Sequence, residues 1–561
     1  MRKMILLPFL AALLANCKDK PAEPTGLVVE NAMVVSARAE ASKIGADIME
    51  QGGNAFDAMV ATELALAVAF PIAGNLGGGG FVVYRKADGQ IGSLDYREKA
   101  PMAAHRDMYL DSLGQVVPGM STLGATAVGV PGTVAGVMEV HKKLGSLPLS
   151  QIMAPVITLA RKGVVVTRQQ ARNLEAYRET FIKVNGDSTK FATPYREGDT
   201  IKYPALANTL QKIMEKGRDG FYKGETAQKL AAFIQAKGGL ITPEDLAGYQ
   251  AIWRDPITFS YRGLQLISMG PPSSGGATIN QIFKMLEAHD MASFGHNSAK
   301  AIQVYTEAAR RAYADRNHFL GDPDFVDIPL EALLEDAYLR ERMSDFSFDR
   351  ASSSRDVGHG EVKIIESDQT THYSIVDKQG NAVAATTTLN GGYGSKLYSD
   401  GLGFFLNNEM DDFSAKPGVP NMFGLVGGQA NSIAPEKRML SSMTPTLVVR
   451  DGKLYMVVGT PGGSTIINSV AQTILNVHEF NMSMQEAVDA PRFHHQWLPD
   501  EIVFEGEGFP EQIKEELQAK GYTINRERKG NIGRVDAIRV LPDGRLEGGA
   551  DKRGDDSAIG F

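Results

Sequence analysis

The sequence predicts a layered α/β fold, and three observations lead there. Residues 55 to 70 are apolar nearly all round, as expected of a helix buried between layers. Four runs, His372 to Asp377, Ala382 to Leu389, Thr446 to Arg450 and Leu454 to Gly459, read as strands of one sheet. Helical patterns are mixed with these strands and no repeat of fixed period occurs, which suits layered packing around a large core.

Composition narrows the class. At 561 residues the chain allows three or four units, although large single α/β domains exceed that prior. Hydrophobic residues at 43% and charged residues at 22% exclude both a disordered chain and a multi-span membrane protein. The formal charge is −8; residues 1–16 hold two basic and no acidic residues, so removing them gives −10. That sign disfavours nucleic acid as a partner.

In chain order, Arg2-Lys3 is a short basic region and Met4 to Ala15 an apolar stretch too short for a membrane span. Residues 1–16 therefore read as an export signal. Leu13-Leu14-Ala15-Asn16-Cys17 looks like a lipidation site, and Cys17 is the only cysteine, so it has no internal disulfide partner. Asn16 departs from the small residue usual there, which leaves an ordinary signal cleaved nearby as the alternative. Residues 17–30, polar and holding two prolines, form a tether. The expectation is an exported, periplasmic protein that meets a bacterial membrane only through its N-terminal lipid.

Residues 38 to 49 have amphipathic helical spacing. The glycine run Gly77 to Gly80 leads into the strand-like Phe81-Val82-Val83-Tyr84. A phosphate loop would follow a strand and open a helix; here the order is reversed, so the glycines read as close backbone packing and no cofactor is implied. Helical patterns follow at 205 to 217, 225 to 237 and 298 to 316. From Ala351 to Gln369 the chain is polar and turn-rich, a connection able to move away after a cut. A strand then opens at Thr370, and a helix is predicted over Ile466 to His478.

A threonine hydroxyl is a poor nucleophile without a base beside it. Cutting the chain before Thr370 would free an α-amine whose reference pKa, about 7.7 to 8.0, lets it accept the hydroxyl proton near neutral pH. Alone, Thr370-Thr371 would be ordinary strand residues. It is accompanied, in order, by Gly52-Gly53-Asn54-Ala55, Gly74-Asn75-Leu76-Gly77-Gly78-Gly79-Gly80, Leu94-Asp95-Tyr96-Arg97-Glu98, Val130-Pro131-Gly132-Thr133, Pro271-Pro272-Ser273-Ser274-Gly275-Gly276 and Tyr313-Ala314-Asp315-Arg316. After Thr370 come Asn407-Asn408-Glu409-Met410-Asp411-Asp412-Phe413, Leu440-Ser441-Ser442-Met443-Thr444-Pro445 and Pro461-Gly462-Gly463-Ser464. From about Asn31 to the C-terminus, these landmarks resemble the γ-glutamyltransferase (γ-glutamyltranspeptidase) family of the bacterial type.

The resemblance implies the four-layer αββα sandwich of N-terminal nucleophile hydrolases, one domain built from two autocleaved fragments, 31–369 and 370–561. Cleavage falls between Gln369 and Thr370, with the Thr370 hydroxyl attacking the Gln369 carbonyl. Thr388 would orient the nucleophile, and Gly462 and Gly463 would offer amides to an oxyanion. Arg97, with Ser441 and Ser442, would bind a substrate α-carboxylate; Asn390, Glu409 and Asp412 would hold its ammonium. Phe413 after the aspartate pair and Asn407-Asn408-Glu409 before it select Asp412 over Asp411. Lys416 to Gly428 would form a lid in which Phe423 stands where related bacterial enzymes have tyrosine, keeping the ring and losing its hydroxyl.

The function so implied is γ-glutamyl hydrolysis and transpeptidation: glutathione and related amides as donors, water, amino acids or peptides as acceptors, and the two fragments of one precursor as a heterodimer. One alternative is an amidase of the same fold acting on glutaryl side chains, which lack the ammonium that Asp412 would hold. Another is a non-catalytic lipoprotein binding γ-glutamyl peptides. His494-His495 lacks a spaced third ligand, so no metal is implied, and no serine has the G-x-S-x-G setting of an α/β-hydrolase.

Overall fold

The computed structural model describes residues 22–358 and 370–561, except 420, 423, 426, 507 and 529. The signal at 1–16, Cys17, Gln369 and Phe423 lie outside the described residues.

The first outer layer is built on α1 (Ala39–Glu50) and α2 (Ala55–Ala69). Every residue of α2 is buried, as its all-round apolarity predicts. It starts where Asn54 accepts the Phe56 and Asp57 amides while Asp57 accepts the Asn54 amide, a reciprocal cap that satisfies otherwise orphaned donors.

Two seven-stranded sheets form the middle. The sheet beneath α1 and α2 contains β1 (Gly79–Arg85), β2 (Thr370–Val376) and β3 (Ala382–Thr388). From edge to edge it runs Ser557–Gly560, Met33–Ser36, β2, β3, β1, Ile91–Asp95 and Ile252–Arg254. The second contains β4 (Thr446–Arg450), β5 (Lys453–Gly459) and β6 (Asp536–Val540). It runs Val28–Val29, Leu546–Ala550, β6, β5, β4, Leu264–Ser268 and Ile257–Tyr261. The sheets pack face to face, and α3 (Gly275–Leu286) and α5 (Ile466–His478) cover the second, with α4 (Ala299–Phe319) against α3. This is a four-layer αββα sandwich of the N-terminal nucleophile hydrolase type.

The four strand runs expected in one sheet divide between two. β2 and β3 form one hairpin, β4 and β5 another, and each hairpin is closed by a local turn. Their outer neighbours come from far along the chain: Met33–Ser36 and β1 flank the first, Leu264–Ser268 and β6 the second. Local periodicity specifies a hairpin but not the sheet that receives it.

Strand alternation decides what β2 offers to each side. Tyr373 and Ile375 enter the core under α1 and α2, whereas Val376 joins the core of the second sheet. Thr370 and His372 share the parity of Val376, so β2 opens on the face toward the second sheet. Behind Thr370 on that face, His372 bonds Thr386 Oγ1 through Nδ1 (2.8 Å) and Ser374 Oγ through Nε2 (3.1 Å). Burial lowers the His372 pKa to about 3, so its ring is neutral.

The glycine run does pack backbones closely. A Cβ at Gly78 would lie 2.0 Å from the Thr388 carbonyl oxygen, and one at Gly80 would lie 2.5 Å from that of Thr386. Only glycine lets this segment reach the end of β3, where the site begins.

Candidate active site

Thr370 opens β2 in register with Thr388 at the end of β3, and their hydroxyl oxygens are 3.4 Å apart. Thr388 is fixed from several sides: its Oγ1 accepts the Asn390 amide (2.7 Å), and its carbonyl accepts Asn75 Nδ2 (2.9 Å). Asn75 Oδ1 in turn accepts the Gly78 amide and the Thr133 hydroxyl. The Gly74 to Gly80 and Val130 to Thr133 landmarks thus position Thr388 beside Thr370.

Thr370 lies where two cavities meet. The smaller, about 300 Å³, is lined by Arg97, Thr388, Asn390, Asp412, Ser441, Ser442 and Gly463, which the sequence reading had placed at one site. Arg316, Leu425, Met443 and Ile466 complete its wall. The larger, about 750 Å³, reaches Thr370 from the other side past Pro461 and Gly462. Glu409 does not line either cavity; it stands behind Arg97.

Arg97 carries the strongest charge cluster. Its Nη1 lies 2.6 Å from Glu409 and 3.4 Å from Glu98, and its Nη2 lies 2.5 Å from Asp412. Burial would lower the guanidinium's pKa, but Glu409, Asp412 and Glu98 outweigh it and hold the group above its ordinary value. Burial pushes Glu98 up to about 8 and raises Glu409 well above the carboxylate range, Arg97 opposing in each case. Asp412 is the carboxylate that reaches the cavity: its side chain is 13% exposed, against 0% for Glu409.

The serine pair is held by two other landmarks. The Ser441 amide donates to Pro272 O (2.9 Å), and its carbonyl accepts the Ser274 amide (2.8 Å) and hydroxyl (2.7 Å). Ser442 Oγ accepts from Arg316 Nη2 at 3.0 Å. The sequence reading singled out Tyr313 to Arg316 without giving it a role. Tyr313 and Arg316 are three apart on α4 and so share a face. The Tyr313 hydroxyl donates to Ser464 O (2.5 Å) while Arg316 reaches Ser442. A polar pair at helical spacing inside an otherwise buried helix was the available signal.

Gly462 and Gly463 take φ of +136° and +54°, in the region that favours glycine, and a Cβ at Gly462 would lie 2.5 Å from Thr465 Oγ1. Among the described residues neither of their amides donates to a protein acceptor. They lie at the N-terminal end of a short 3₁₀ turn that runs into α5, where the helix dipole favours negative charge.

The described part of the lid loop lies over the smaller cavity. Asn421 Nδ2 donates to Asp412 Oδ1 (3.1 Å), the Met422 amide donates to Asp411 Oδ2 (2.9 Å), and Leu425 lines the cavity. Both adjacent aspartates therefore touch this loop, but only Asp412 also meets Arg97, while Asp411 accepts from Ser121 (2.6 Å) and the Met422 amide. His494 bonds Asn468 and Gln496, and His495 lies by Asp500, so the histidines take separate partners.

The site can therefore present a hydroxyl, two unused amides, an arginine, a carboxylate and two serines around one small space. Among the described residues no histidine lines either cavity.

The gamma-glutamyltranspeptidase family model matches residues 41–561. The chain is 47% identical over 534 residues to the glutathione hydrolase proenzyme of Escherichia coli K12, covering 94% of this chain and 92% of that one. Among solved structures, a cephalosporin acylase from Bacillus halodurans superposes with a TM-score of 0.83 at 25% identity, covering 97% of this chain and 98% of that one. A Helicobacter pylori gamma-glutamyltranspeptidase chain does so with a TM-score of 0.57 at 42% identity, covering 60% of this chain and 97% of that one.

Proposed function

The chain belongs to the gamma-glutamyltranspeptidase family, and from that premise we propose that it hydrolyses glutathione and related γ-glutamyl amides and transfers the γ-glutamyl group to amines, with Thr370 as nucleophile after self-cleavage. The observation that carries the reading is the Arg97–Asp412 pair in the cavity that ends at Thr370. A γ-glutamyl group bears a carboxylate and an ammonium on one carbon, so it matches both members of that pair.

In maturation, Thr370 Oγ attacks the Gln369 carbonyl, the peptide C–N bond breaks, and the Thr370 nitrogen leaves as the new α-amine. Water then opens the ester. In turnover the α-amine takes the Oγ proton as Oγ attacks the substrate γ-carbonyl. The Gly462 and Gly463 amides donate to the oxyanion. The amine product leaves with the proton, and water or an acceptor amine resolves the acyl ester. Arg97, Ser441 and Ser442 hold the α-carboxylate, while Asp412 and Asn390 hold the ammonium. A bound zwitterion exchanges with the internal ion pair, replacing one set of charge partners by another. Glu409 acts on Arg97.

Thr370→Ala should remain one chain and be inactive, because it lacks the attacking hydroxyl; denaturing gels and N-terminal sequencing check this, and a normally cut variant would remove the basis of the scheme. The acylase reading shares the fold of its neighbour, but a glutaryl group would leave Asp412 without an ammonium. We also propose export, with Cys17 as lipid anchor. Cys17→Ser should release the protein from membranes, and wild-type protein without lipid mass on Cys17 would end that proposal.

A further inference from the structure

The geometry points to Arg316 as a second arm of the α-carboxylate site, acting beside Arg97 and through Ser442; this rests on the γ-glutamyl reading. Arg316 is 3% exposed and lines the cavity that ends at Thr370. Its partners are all neutral: Nε donates to Ser274 Oγ (2.9 Å), Nη1 to Asn317 Oδ1 (2.8 Å) and Nη2 to Ser442 Oγ (3.0 Å). Among the described residues no carboxylate makes an ion pair with it.

Arg97 is the reverse case. Its Nη1 and Nη2 are engaged by Glu409, Glu98 and Asp412. A carboxylate arriving at Arg97 must compete with those acids, whereas at Arg316 it meets a guanidinium on which Asp412 acts only from beyond ion-pair contact. Arginine has five N–H donors. The three bonds above leave one on each terminal nitrogen, and a carboxylate accepts such a fork in bidentate fashion. Buried cations ordinarily have an acid partner, so a guanidinium without one on the cavity wall suits an anion that the ligand brings. Burial pushes Arg316 down to about 10, against Tyr313 and Asp412, so it remains charged at neutral pH.

Ser442 joins the two arms. With its oxygen accepting from Arg316, its own proton is directed elsewhere, and a carboxylate in the cavity is the acceptor proposed. Tyr313 on the same face of α4 bonds Ser464 in the oxyanion turn, so one helix sets the distance between the carboxylate end and the reacting end of a substrate.

The test uses two variants of the cleaved protein. Arg316→Gln removes the charge. Asn317→Asp leaves the guanidinium in place but gives Nη1 a carboxylate; the Asn317 Nδ2 it replaces has no partner among the described residues, so no hydrogen bond to them is lost. Self-cleavage reports folding, because that step uses no α-carboxylate. kcat and KM are measured for the γ-glutamyl anilide and for the 4-aminobutyryl anilide, which keeps the ammonium and lacks the carboxylate. Each variant should lose roughly 10- to 100-fold in kcat/KM on γ-glutamyl, mainly in KM, with little change on the analogue, and Arg316→Lys should lose less than Arg316→Gln. If cleaved Asn317→Asp stays within twofold of wild type, or loses equally on both substrates, Arg316 has no carboxylate role. A wild-type protein that does not turn over the γ-glutamyl anilide would instead sink the functional reading.

Discussion

Asp412 and Arg97 show how one residue's meaning depends on its partner. An adjacent aspartate pair in a sequence is usually solvated surface, and only the order of landmarks singled Asp412 out. Structure adds that Asp412 meets Arg97 while Asp411 meets Ser121, a division no local pattern encodes. If Asp412 holds a largely desolvated substrate ammonium, removing its charge should cost about 3 to 5 kcal/mol. Asp412→Asn is expected to lose γ-glutamyl turnover by orders of magnitude, and to lose much less on a glutaryl anilide. The measurement is kcat/KM for both anilides in cleaved protein; equal losses would assign Asp412 to the fold. Arg316 stood among the sequence landmarks without a role because its partners, the adjacent Asn317 and the distant Ser274 and Ser442, are neutral, so no charge pattern announced one.

Elements with strong local periodicity were legible. The pattern at 466 to 478 coincides with α5, and those at 38 to 49 and 298 to 316 match α1 and α4 to within a few residues. Sheet membership was not, because β2 and β4 are equally strand-like and differ only in distant neighbours. The contact between α2 and β2 also lay beyond reach: Tyr373 donates to Glu63 Oε2 at 2.6 Å, linking the outer layer to the strand that begins at Thr370. Burial pushes Glu63 up to about 7, with Tyr373 and Thr387 opposing. A carboxyl raised on folding contributes stability that is fully present below its unfolded value, near 4.5, and lost as pH rises through about 7. The loss is on the order of 3 kcal/mol above that range. Glu63→Gln should therefore flatten the fall of Tm between pH 5 and 8, since the amide still accepts from Tyr373. Parallel Tm profiles in variant and wild type would show that Glu63 does not bind the proton.

At the scale of the molecule, the proposed cut falls at the start of a strand, yet the pieces it makes are interleaved. Met33–Ser36 lies between Ser557–Gly560 and β2, β1 pairs with β3, Val28–Val29 pairs with Leu546–Ala550, and Leu264–Ser268 pairs with β4. Both sheets thus mix strands of the two fragments, and neither fragment holds a complete sheet. The cleaved fragments are expected to co-elute in native buffer at high salt and to part only in denaturant; separate native species on size exclusion would contradict this. The register that sets Thr370 against Thr388 follows folding, so the intact chain must fold before it can cut itself. Molecularity then changes with age. Before the cut, refolding is a first-order event within one chain; afterwards the same fold can be regained only through a bimolecular encounter, so its recovery from denaturant should depend on protein concentration in the mature form and not in the Thr370→Ala precursor.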